Sequence, residues 1–417
     1  MLVFRRGSDA RLQKSVFDGF DRPRGNGRES PVTTKLFAKK KRSIRVSYAR
    51  ACGTIRREHI RCWRTDMLRF ENDYSEGTYP EILAQLAGTN FTPSPTYGLD
   101  PLCEEAEGLL LALCGLTRED AKVHFIPGGT LTNLTLLSAA LRPHQGVIAA
   151  VSGHISTHES GAIEATGHKV LTLPSGDGKL TAAAIAESME AFAGDPTREH
   201  QVHPAMVYIS DLTEMGTSYT REELYAISKI CRDYRLRLFL DGARLGYALC
   251  AADSDKTLAD VAACCDAFTF GGTKIGALFG EALVLRDPAM QNDFRTILKQ
   301  KGGLLAKGWL LGLQFTTLLT NELYRSYCMH ANQMADHIRN AVRMAGYEFL
   351  AETTGNQVFP ILPNSLLSEM DREFTYSFWE KIDEERTAVR FCTSWASRIT
   401  DVEKLCELIL RGKKVVE

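Results

Sequence analysis

Long apolar runs, paired cysteine motifs and a dinucleotide-binding glycine motif are all absent from this 417-residue sequence. No apolar run approaches the ~20 residues that a membrane-spanning helix needs, so no membrane partner is expected. None of the eleven cysteines stands in a CxxC pair, their number is odd, and several lie in apolar stretches. This usage predicts reduced, mostly buried thiols in a reducing compartment. No G-x-G-x-x-G follows a strand-like run, which disfavours a nicotinamide site.

Charge is almost balanced overall, at −1, but it is unevenly distributed along the chain. Residues 1–66 hold 18 Lys and Arg against 6 Asp and Glu, whereas residues 67–417 hold 32 against 45. The acidic body argues against nucleic acid as a partner. The basic segment shows no sustained period, so a disordered extension, an Arg-rich transit peptide and a nuclear or nucleic-acid patch all stay open. We expect a cytoplasmic protein, or a mitochondrial one if residues 1–66 are a transit peptide.

From about residue 70 onward, short apolar runs alternate with helical patterns. This alternation predicts an α/β fold with a mostly parallel sheet covered on both faces. The expected division is an arm and large domain over 67–300, followed by an interdomain helix and a small α+β domain over 301–417. The predicted strands are 123–126, 147–151, 170–173, 205–210, 236–240, 267–270, 358–361 and 390–393. The predicted helices are 82–86, 101–114, 130–141, 155–165, 181–192, 221–234, 287–329, 331–345 and 401–410.

An acid and a lysine, 33 residues apart, each follow an apolar run. Asp241 ends one run, and Lys274 follows the next run after Gly271-Gly272-Thr273. Small and apolar neighbours disfavour the charged form of a lysine amine and suit a Schiff base with an aldehyde. An acid at the end of the neighbouring strand can keep a pyridine nitrogen protonated. The pair therefore predicts a pyridoxal 5'-phosphate site.

Other strand-to-helix junctions carry residues that suit such a cofactor. Gly129 and Thr130 open a helix, where free N–H groups can bind a phosphate, although such a turn alone is more often only a tight strand-to-helix connection. His154 can stack on a pyridine ring, move a proton or simply cap a helix. Arg244 can bind a phosphate or carboxylate, and Arg390, between apolar neighbours, needs an anion such as a substrate α-carboxylate unless it lies at the surface.

Together, in order and spacing, these motifs resemble those of the low-specificity L-threonine aldolase and β-eliminating lyase family. The resemblance runs from about Phe70 to the C-terminus. The segments that carry it are 72–77 (NDYSEG), 97–100 (YGLD), Gly128-Gly129-Thr130, His154-Ile155 with Glu159, Asp241-Gly242-Ala243-Arg244, Thr273-Lys274, and Arg390-Phe391 with Thr393-Ser394.

The resemblance implies a pyridoxal phosphate-dependent fold type I enzyme, with a large, mostly parallel, seven-stranded-type sheet domain and a small α+β C-terminal domain. It implies a homodimer or homotetramer with sites built between subunits. The implied roles are cofactor attachment by Lys274, pairing of Asp241 with the pyridine nitrogen, phosphate binding by Gly129 and Thr130, ring stacking by His154, carboxylate binding by Arg244 and Arg390 with Asn72 or Ser75, and a contact across the subunit interface by Tyr97.

The reaction expected from the resemblance is Cα–Cβ cleavage of a β-hydroxy-α-amino acid, with threonine or allo-threonine giving glycine and an aldehyde. β-Elimination, transamination and racemisation of another small amino acid stay open, because all of them begin from the same cofactor-bound substrate. A non-catalytic protein of this fold would be expected to lose Lys274 or Asp241. Many threonine aldolases carry a second histidine near the substrate hydroxyl, but here Glu214 or Thr213 stands in that stretch. No metal site is expected.

Overall fold

A computed structural model describes residues 67–412 of the chain, and the predictions for residues 1–66 lie outside the described residues. The strands are β1 (Leu68–Arg69), β2 (Lys122–Ile126), β3 (Gln145–Ala150), β4 (Val170–Leu173), β5 (His203–Ser210), β6 (Arg237–Asp241), β7 (Ala267–Gly271), β8 (Glu281–Leu285), β9 (Phe349–Ala351), β10 (Gln357–Pro363), β11 (Phe374–Thr375), β12 (Ser377–Lys381) and β13 (Arg386–Cys392).

The helices alternate with these strands in the first two thirds of the described chain. They are α1 (Pro80–Thr89), α2 (Pro101–Leu113), α3 (Gly129–Ala140), α4 (His154–Thr157), α5 (Ala182–Gly194), α6 (Arg221–Asp233), α7 (Leu245–Leu249), α8 (Leu258–Cys264), α9 (Pro288–Gln291), α10 (Phe294–Gln300), α11 (Trp309–Leu319), α12 (Leu323–Ala345), α13 (Asn364–Met370) and α14 (Ile399–Gly412). Short 3₁₀ turns lie at Glu164–Thr166, Arg198–His200 and Thr320–Glu322.

The large sheet has seven strands in the order β2-β8-β7-β6-β5-β3-β4. Strand β3 pairs in parallel with β4 on one side and with β5 on the other, and β5 pairs in parallel with β6, as does β6 with β7. Strand β8 runs antiparallel to both of its neighbours, β2 and β7. The predicted, mostly parallel sheet is therefore confirmed. The sequence pattern did not predict β8, because its short apolar run, from Ala282 to Leu285, stands where the alternation with helices breaks down.

Successive residues of the central strands bury their side chains on opposite faces of this sheet. Ile148 and Leu240 belong to one core cluster, whereas the adjacent Ala149 and Phe239 belong to another. Helices cover both clusters: α6 buries Leu224 and Ile227 against the first, and α3 buries Leu136 and Leu137 against the second. Burial on both faces explains why these strands are apolar along their whole length rather than alternating.

A second, antiparallel sheet has the strand order β12-β13-β10-β9 and packs with the long helix α12 and with α14. Phe70 lies in the same apolar cluster, and β1 pairs with β11, so the N-terminal arm packs against this small sheet. The structure thus shows the predicted small α+β region. The exact division at residue 300 stays a prediction, and the arm contributes to the small core as well as to the large one.

Two predicted helices are wrong in extent. The helix predicted over 155–165 ends at Thr157, because Ser160 and Gly161 adopt left-handed conformations with φ of 52° and 71°. The helical stretch predicted over 287–329 is divided into α9, α10, α11 and the start of α12, with left-handed backbone at Asp293 and Gly302 between them. A helical pattern in composition does not reveal single residues at which the backbone reverses its hand.

The described cysteines and helices can be compared with the composition of the chain. All nine cysteines of the described region are free, and seven of them are buried, as predicted. Between residues 67 and 412, the helices lack the combination of length and apolar character that crossing a membrane requires.

Candidate active site

Five loops meet at the carboxyl edge of the large sheet, following β2, β3, β5, β6 and β7. They surround a cavity of about 340 Å³. Parallel strands deliver the residues that follow them to one edge, which is where ligands bind in open α/β sheets. Six of the predicted site residues line this cavity, namely Gly129, Thr130, His154, Asp241, Arg244 and Lys274.

Asp241 ends β6 and is held as a carboxylate. Its Oδ2 accepts hydrogen bonds from Asn133 Nδ2 at 2.9 Å and from the Tyr208 hydroxyl at 2.8 Å, and its Oδ1 accepts from the backbone N–H of Ala243 at 3.0 Å. Burial alone would raise the pKa of Asp241, but the nearby His154 and the two side-chain hydrogen bonds outweigh burial and lower it. A buried group that stays anionic can pair with a protonated ring nitrogen.

Lys274 lies in the tight connection between β7 and β8. The backbone N–H groups of Gly272 and Thr273 donate to Gly280 O, and the Tyr247 hydroxyl donates to Lys274 O at 2.6 Å. Two residues later, Gly276 has φ +113°, and the Tyr79 ring occupies the space that a Cβ would need. Burial, and then the charge of Arg244, lower the pKa of the Lys274 amine. The connection therefore presents a lysine whose neutral form is favoured.

The start of α3 provides an anion site beside this lysine. No side chain caps the helix at Gly128, and a Cβ added at Gly128 or Gly129 would meet nothing within 4 Å. The first N–H groups of a helix have no partner within it, and the helix dipole favours negative charge there. The geometry suits the phosphate role predicted for Gly129 and Thr130.

His154 begins α4 and faces the same cavity. Its Nδ1 lies 2.8 Å from Glu159 Oε1, which also accepts from Asn133 Nδ2 at 2.7 Å. Burial opposes the charged imidazole, but the hydrogen bond to Glu159 and the nearby Asp241 outweigh burial and raise its pKa. The His158 ring is nearly parallel to it, with centroids 5.6 Å apart. Asn133 and Glu159 thus join the His154 ring to the Asp241 carboxylate.

The structure distinguishes the two residues that could replace the second histidine. Glu214 lines the cavity, and Ser210 Oγ donates to its Oε1 at 3.2 Å. Thr213 is buried, and its hydroxyl is engaged with Thr217 Oγ1 at 2.7 Å. Burial raises the pKa of Glu214. Glu214, and not Thr213, is therefore the side chain placed to exchange a proton with a bound substrate.

Arg244 lines the cavity, but its anionic partner belongs to the protein. Asp73 Oδ2 accepts from Arg244 Nε at 2.7 Å, and Asp73 Oδ1 accepts from Nη2 at 3.0 Å. Asp73 thus engages two N–H groups of this guanidinium, and the binding of a substrate carboxylate by Arg244 stays a prediction. Arg244 positions the arm and contributes positive charge to the cavity.

Arg390 lies in an adjoining cavity of about 390 Å³. Its Nη2 donates to Glu71 O at 3.0 Å and to Ser377 Oγ at 3.1 Å, and its guanidinium lies 5.5 Å from the centre of the Trp379 ring. The buried Arg390 Nε has no hydrogen-bond partner among residues 67–412. Arg390 is thus held in place at the wall of this cavity, which suits the predicted carboxylate contact. The cavity is lined by Tyr74, His154, His158, Glu214, Arg244, Lys274, Ser377, Phe378, Trp379 and Arg390.

Asn72 and Ser75 do not line either cavity, and their contact with a substrate stays a prediction. Asn72 Oδ1 accepts from the backbone N–H of Tyr74 and from Ser75 Oγ, so both side chains form a local turn, and Tyr74 faces the cavity instead. Tyr97 also lines neither of these two cavities, and the Lys299 ammonium lies 4.2 Å from the centre of its ring.

Several residues at the site escaped the sequence analysis. Asn133 follows Thr130 by about one helical turn, and Tyr208 brings a hydroxyl into an apolar strand. Asp73 belongs to the same motif as Asn72, for which a substrate contact was predicted. A polar residue inside a buried strand was the available signal for Tyr208. Glu281, the first residue of the unpredicted strand β8, offered none.

The chain is similar to several known proteins. The chain matches the beta-eliminating lyase family over residues 78–364. A low specificity L-threonine aldolase from Pseudomonas aeruginosa is 30% identical over 343 residues, which cover 82% of this chain and 95% of the relative. A solved threonine aldolase from Leishmania major superposes with a TM-score of 0.79 and 44% identity, covering 84% of this chain and 99% of the other.

More distant solved structures bear on the fold alone. A serine palmitoyltransferase from Sphingomonas wittichii superposes with a TM-score of 0.63 at 12% identity, covering 84% of this chain and 88% of that one. Such neighbours are pyridoxal phosphate-dependent enzymes of fold type I. The predictions of the fold class and of the family are confirmed, and this chain belongs to the beta-eliminating lyase family.

Proposed function

We propose that this chain binds pyridoxal 5'-phosphate and cleaves the Cα–Cβ bond of threonine or allo-threonine, releasing glycine and acetaldehyde. One observation carries the proposal: the ionised Asp241 carboxylate and the Lys274 amine line a single cavity with the uncapped start of α3. The similarity to threonine aldolases supports the choice of bond.

The residues of the cavity fit this cofactor. Lys274 would hold its aldehyde covalently, Asp241 would pair with its ring nitrogen, and the N–H groups near Gly129 and Thr130 would receive its phosphate. The His154 ring would lie against the pyridine, fixed by Glu159. When bound, the cofactor supplies a protonated pyridine ring that accepts the electron pair of the broken Cα–Cβ bond.

The protein's own side chains would then orient the amino acid and move its protons. Arg390 would bind the α-carboxylate, because its guanidinium lines the cavity that adjoins Lys274 and is fixed there by Ser377 and by Trp379. Glu214 would accept the β-hydroxyl proton, which the aldehyde product loses when the bond breaks. Ser210, by donating to Glu214 Oε1, would orient that carboxylate.

A second subunit is part of the proposal. Tyr97 is 38% exposed, its φ is +61°, and Arg295 Nη2 donates to its carbonyl at 3.0 Å, so an exposed aromatic ring is held in an unusual backbone conformation. We expect this ring to complete the site of a partner in a homodimer or homotetramer. Co-refolding equal amounts of inactive Lys274→Ala and Tyr97→Ala chains would restore about a quarter of wild-type activity if sites are shared in a dimer.

Cofactor uptake and product analysis test the activity. The wild-type protein and a Lys229→Ala control, which alters an exposed lysine paired with Asp233, are expected to absorb visible light with pyridoxal phosphate and to release acetaldehyde and glycine from threonine. Lys274→Ala is expected to lose both the absorption of the lysine-bound cofactor and turnover. Retention of both by Lys274→Ala would overturn the assignment, and 2-oxobutyrate with ammonia as the products from threonine would replace cleavage by β-elimination.

A further inference from the structure

Glu281 is a buried acid at the edge of the same cavity. It is the first residue of β8 and pairs with Gly271 of β7 on one side and with Ile126 of β2 on the other. Because β8 runs antiparallel to its neighbours, its first residue reaches the sheet edge where the other strands end. Glu281 is only 5% exposed and lines the cavity together with Lys274.

Only one oxygen of this carboxyl group is engaged by the protein. Thr273 Oγ1 donates to Glu281 Oε1 at 3.3 Å. Oε2 is buried and has no hydrogen-bond partner within residues 67–412. It lies above Gly271, where an added Cβ would come within 2.8 Å of it, so the glycine leaves room for the carboxyl group. A buried oxygen without a partner is costly unless the group is neutral or has a cation close by.

The charges near Glu281 are few. Burial, and then the charge of Asp241, raise the pKa of Glu281 to about 8, although the charge of Lys274 lowers it. Two further charges act on Lys274: Arg244 lowers the pKa of its amine, and Asp73 raises it. On the remaining walls the titratable groups are Tyr74, His154 and Glu214. The connection after β2 and the start of α3 contribute residues that do not titrate, namely Pro127, Gly128, Gly129, Thr130 and Asn133.

We propose that Glu281 is a positioning residue that exchanges one proton with the Lys274 amine. The ammonium and carboxylate become a neutral amine and a carboxylic acid, so that the proton passes from Nζ to the carboxyl group and net charge is conserved. The neutral amine is the form that attacks an aldehyde. The proposal rests on the proposed function only in assigning cofactor attachment to Lys274.

Local exchange has an advantage in this cavity. An ion pair taken out of water loses hydration that its mutual attraction repays only with good geometry. The neutral pair avoids that cost. Two groups that interact strongly release their protons in two steps that belong to the pair.

The test measures the reactivity of Lys274 in the cofactor-free protein. Brief acetylation at a series of pH values, followed by mass spectrometry of the peptide containing Lys274, gives the labelling rate as a function of pH. We expect a two-step profile for wild type. In Glu281→Gln, which keeps the shape but loses the charge, we expect a single step whose midpoint lies about 1 pH unit lower, or about tenfold faster labelling below the midpoint.

Asp266→Asn is the matched control, because Asp266 is a partly buried acid just before β7, at the opposite end of the strand from Lys274. It should leave the profile unchanged. Glu281→Asp retains the acid one methylene farther away, and we expect two steps with an intermediate midpoint, which keeps the proposal testable if Glu281→Gln fails to fold. Infrared difference spectra near neutral pH should show a protonated carboxyl band in wild type that Glu281→Gln lacks.

Identical labelling profiles in wild type and in the folded Glu281 variants, or an equal shift in Asp266→Asn, would overturn the proposal. Absence of the protonated carboxyl band would do the same. Because labelling uses neither cofactor nor threonine, its failure is distinct from a failure of the proposed activity, which would appear only in cofactor uptake and product analysis.

Discussion

Asp73 joins three distant parts of the chain, and its replacement measures what holds the arm over the site. Its carboxylate accepts two hydrogen bonds from Arg244 and one, at 2.9 Å, from Asn356 Nδ2, which also donates to Thr393 O. The Asp73 side chain is fully buried, and that of Arg244 is 9% exposed. The arm, the loop after β6 and the small sheet therefore meet at one carboxylate.

Asp73→Asn keeps the size of this side chain but leaves the Arg244 guanidinium buried without a counter-charge. Removing one partner of a buried ion pair costs about 3–5 kcal/mol of the free energy of unfolding. Burial opposes the ionised form of Asp73, but the charges of Arg244 and Lys274 outweigh it and lower its pKa from 3.8 to about 2. That shift corresponds to about 2 kcal/mol. The larger figure is expected, because the substitution also strands the arginine.

Urea unfolding of the cofactor-free protein at neutral pH measures this difference. The control is Asp233→Asn, which removes an exposed carboxylate paired with Lys229 and should change the free energy of unfolding by less than about 0.5 kcal/mol. A folded-state pKa below the unfolded one gives stability that is present above pH 3.8 and lost as pH falls through about 2. The difference between wild type and Asp73→Asn should shrink accordingly in acid.

The reasoning would be refuted by an Asp73→Asn protein within about 1 kcal/mol of wild type with an unchanged urea slope. Such a result would mean that the Arg244 guanidinium finds another anion when Asp73 is neutralised.

Three further substitutions test the site by steady-state kinetics. Arg390→Lys should raise the KM for threonine about tenfold with a smaller change in kcat, because a lysine cannot offer the planar fork; an unchanged KM would exclude the carboxylate contact. Glu214→Gln should lower kcat by about 10²–10⁴ with cofactor uptake retained. In wild type the rate should fall as the pH drops through the raised pKa of Glu214, and this decrease should be absent in Glu214→Gln. Asp241→Asn should bind cofactor but turn over at least about 100-fold more slowly, since a neutral amide holds the ring proton weakly, and wild-type turnover would contradict its assigned role.

The positions of the main site residues follow from local patterns in the chain. Asp241 and Lys274 each come after a buried strand, and the carboxyl ends of parallel strands share one edge of a sheet. The same argument placed His154 and the glycines before α3. The order and spacing of the motifs also indicated the family, because each motif is a short run of neighbouring residues that can be recognised in the sequence.

Partners far apart in the chain were decided only by the tertiary structure. Two N–H groups of Arg244 donate to Asp73, which lies 171 residues away and which the sequence pattern did not indicate as a partner. Glu214 rather than Thr213 faces the cavity because Thr217 engages the threonine hydroxyl. Glu281 reaches the site because an antiparallel strand inserts between β2 and β7. Sequence patterns record which residues follow a strand or open a helix. The direction and hydrogen-bond partner of each side chain depend on packing between segments that the chain order does not place together.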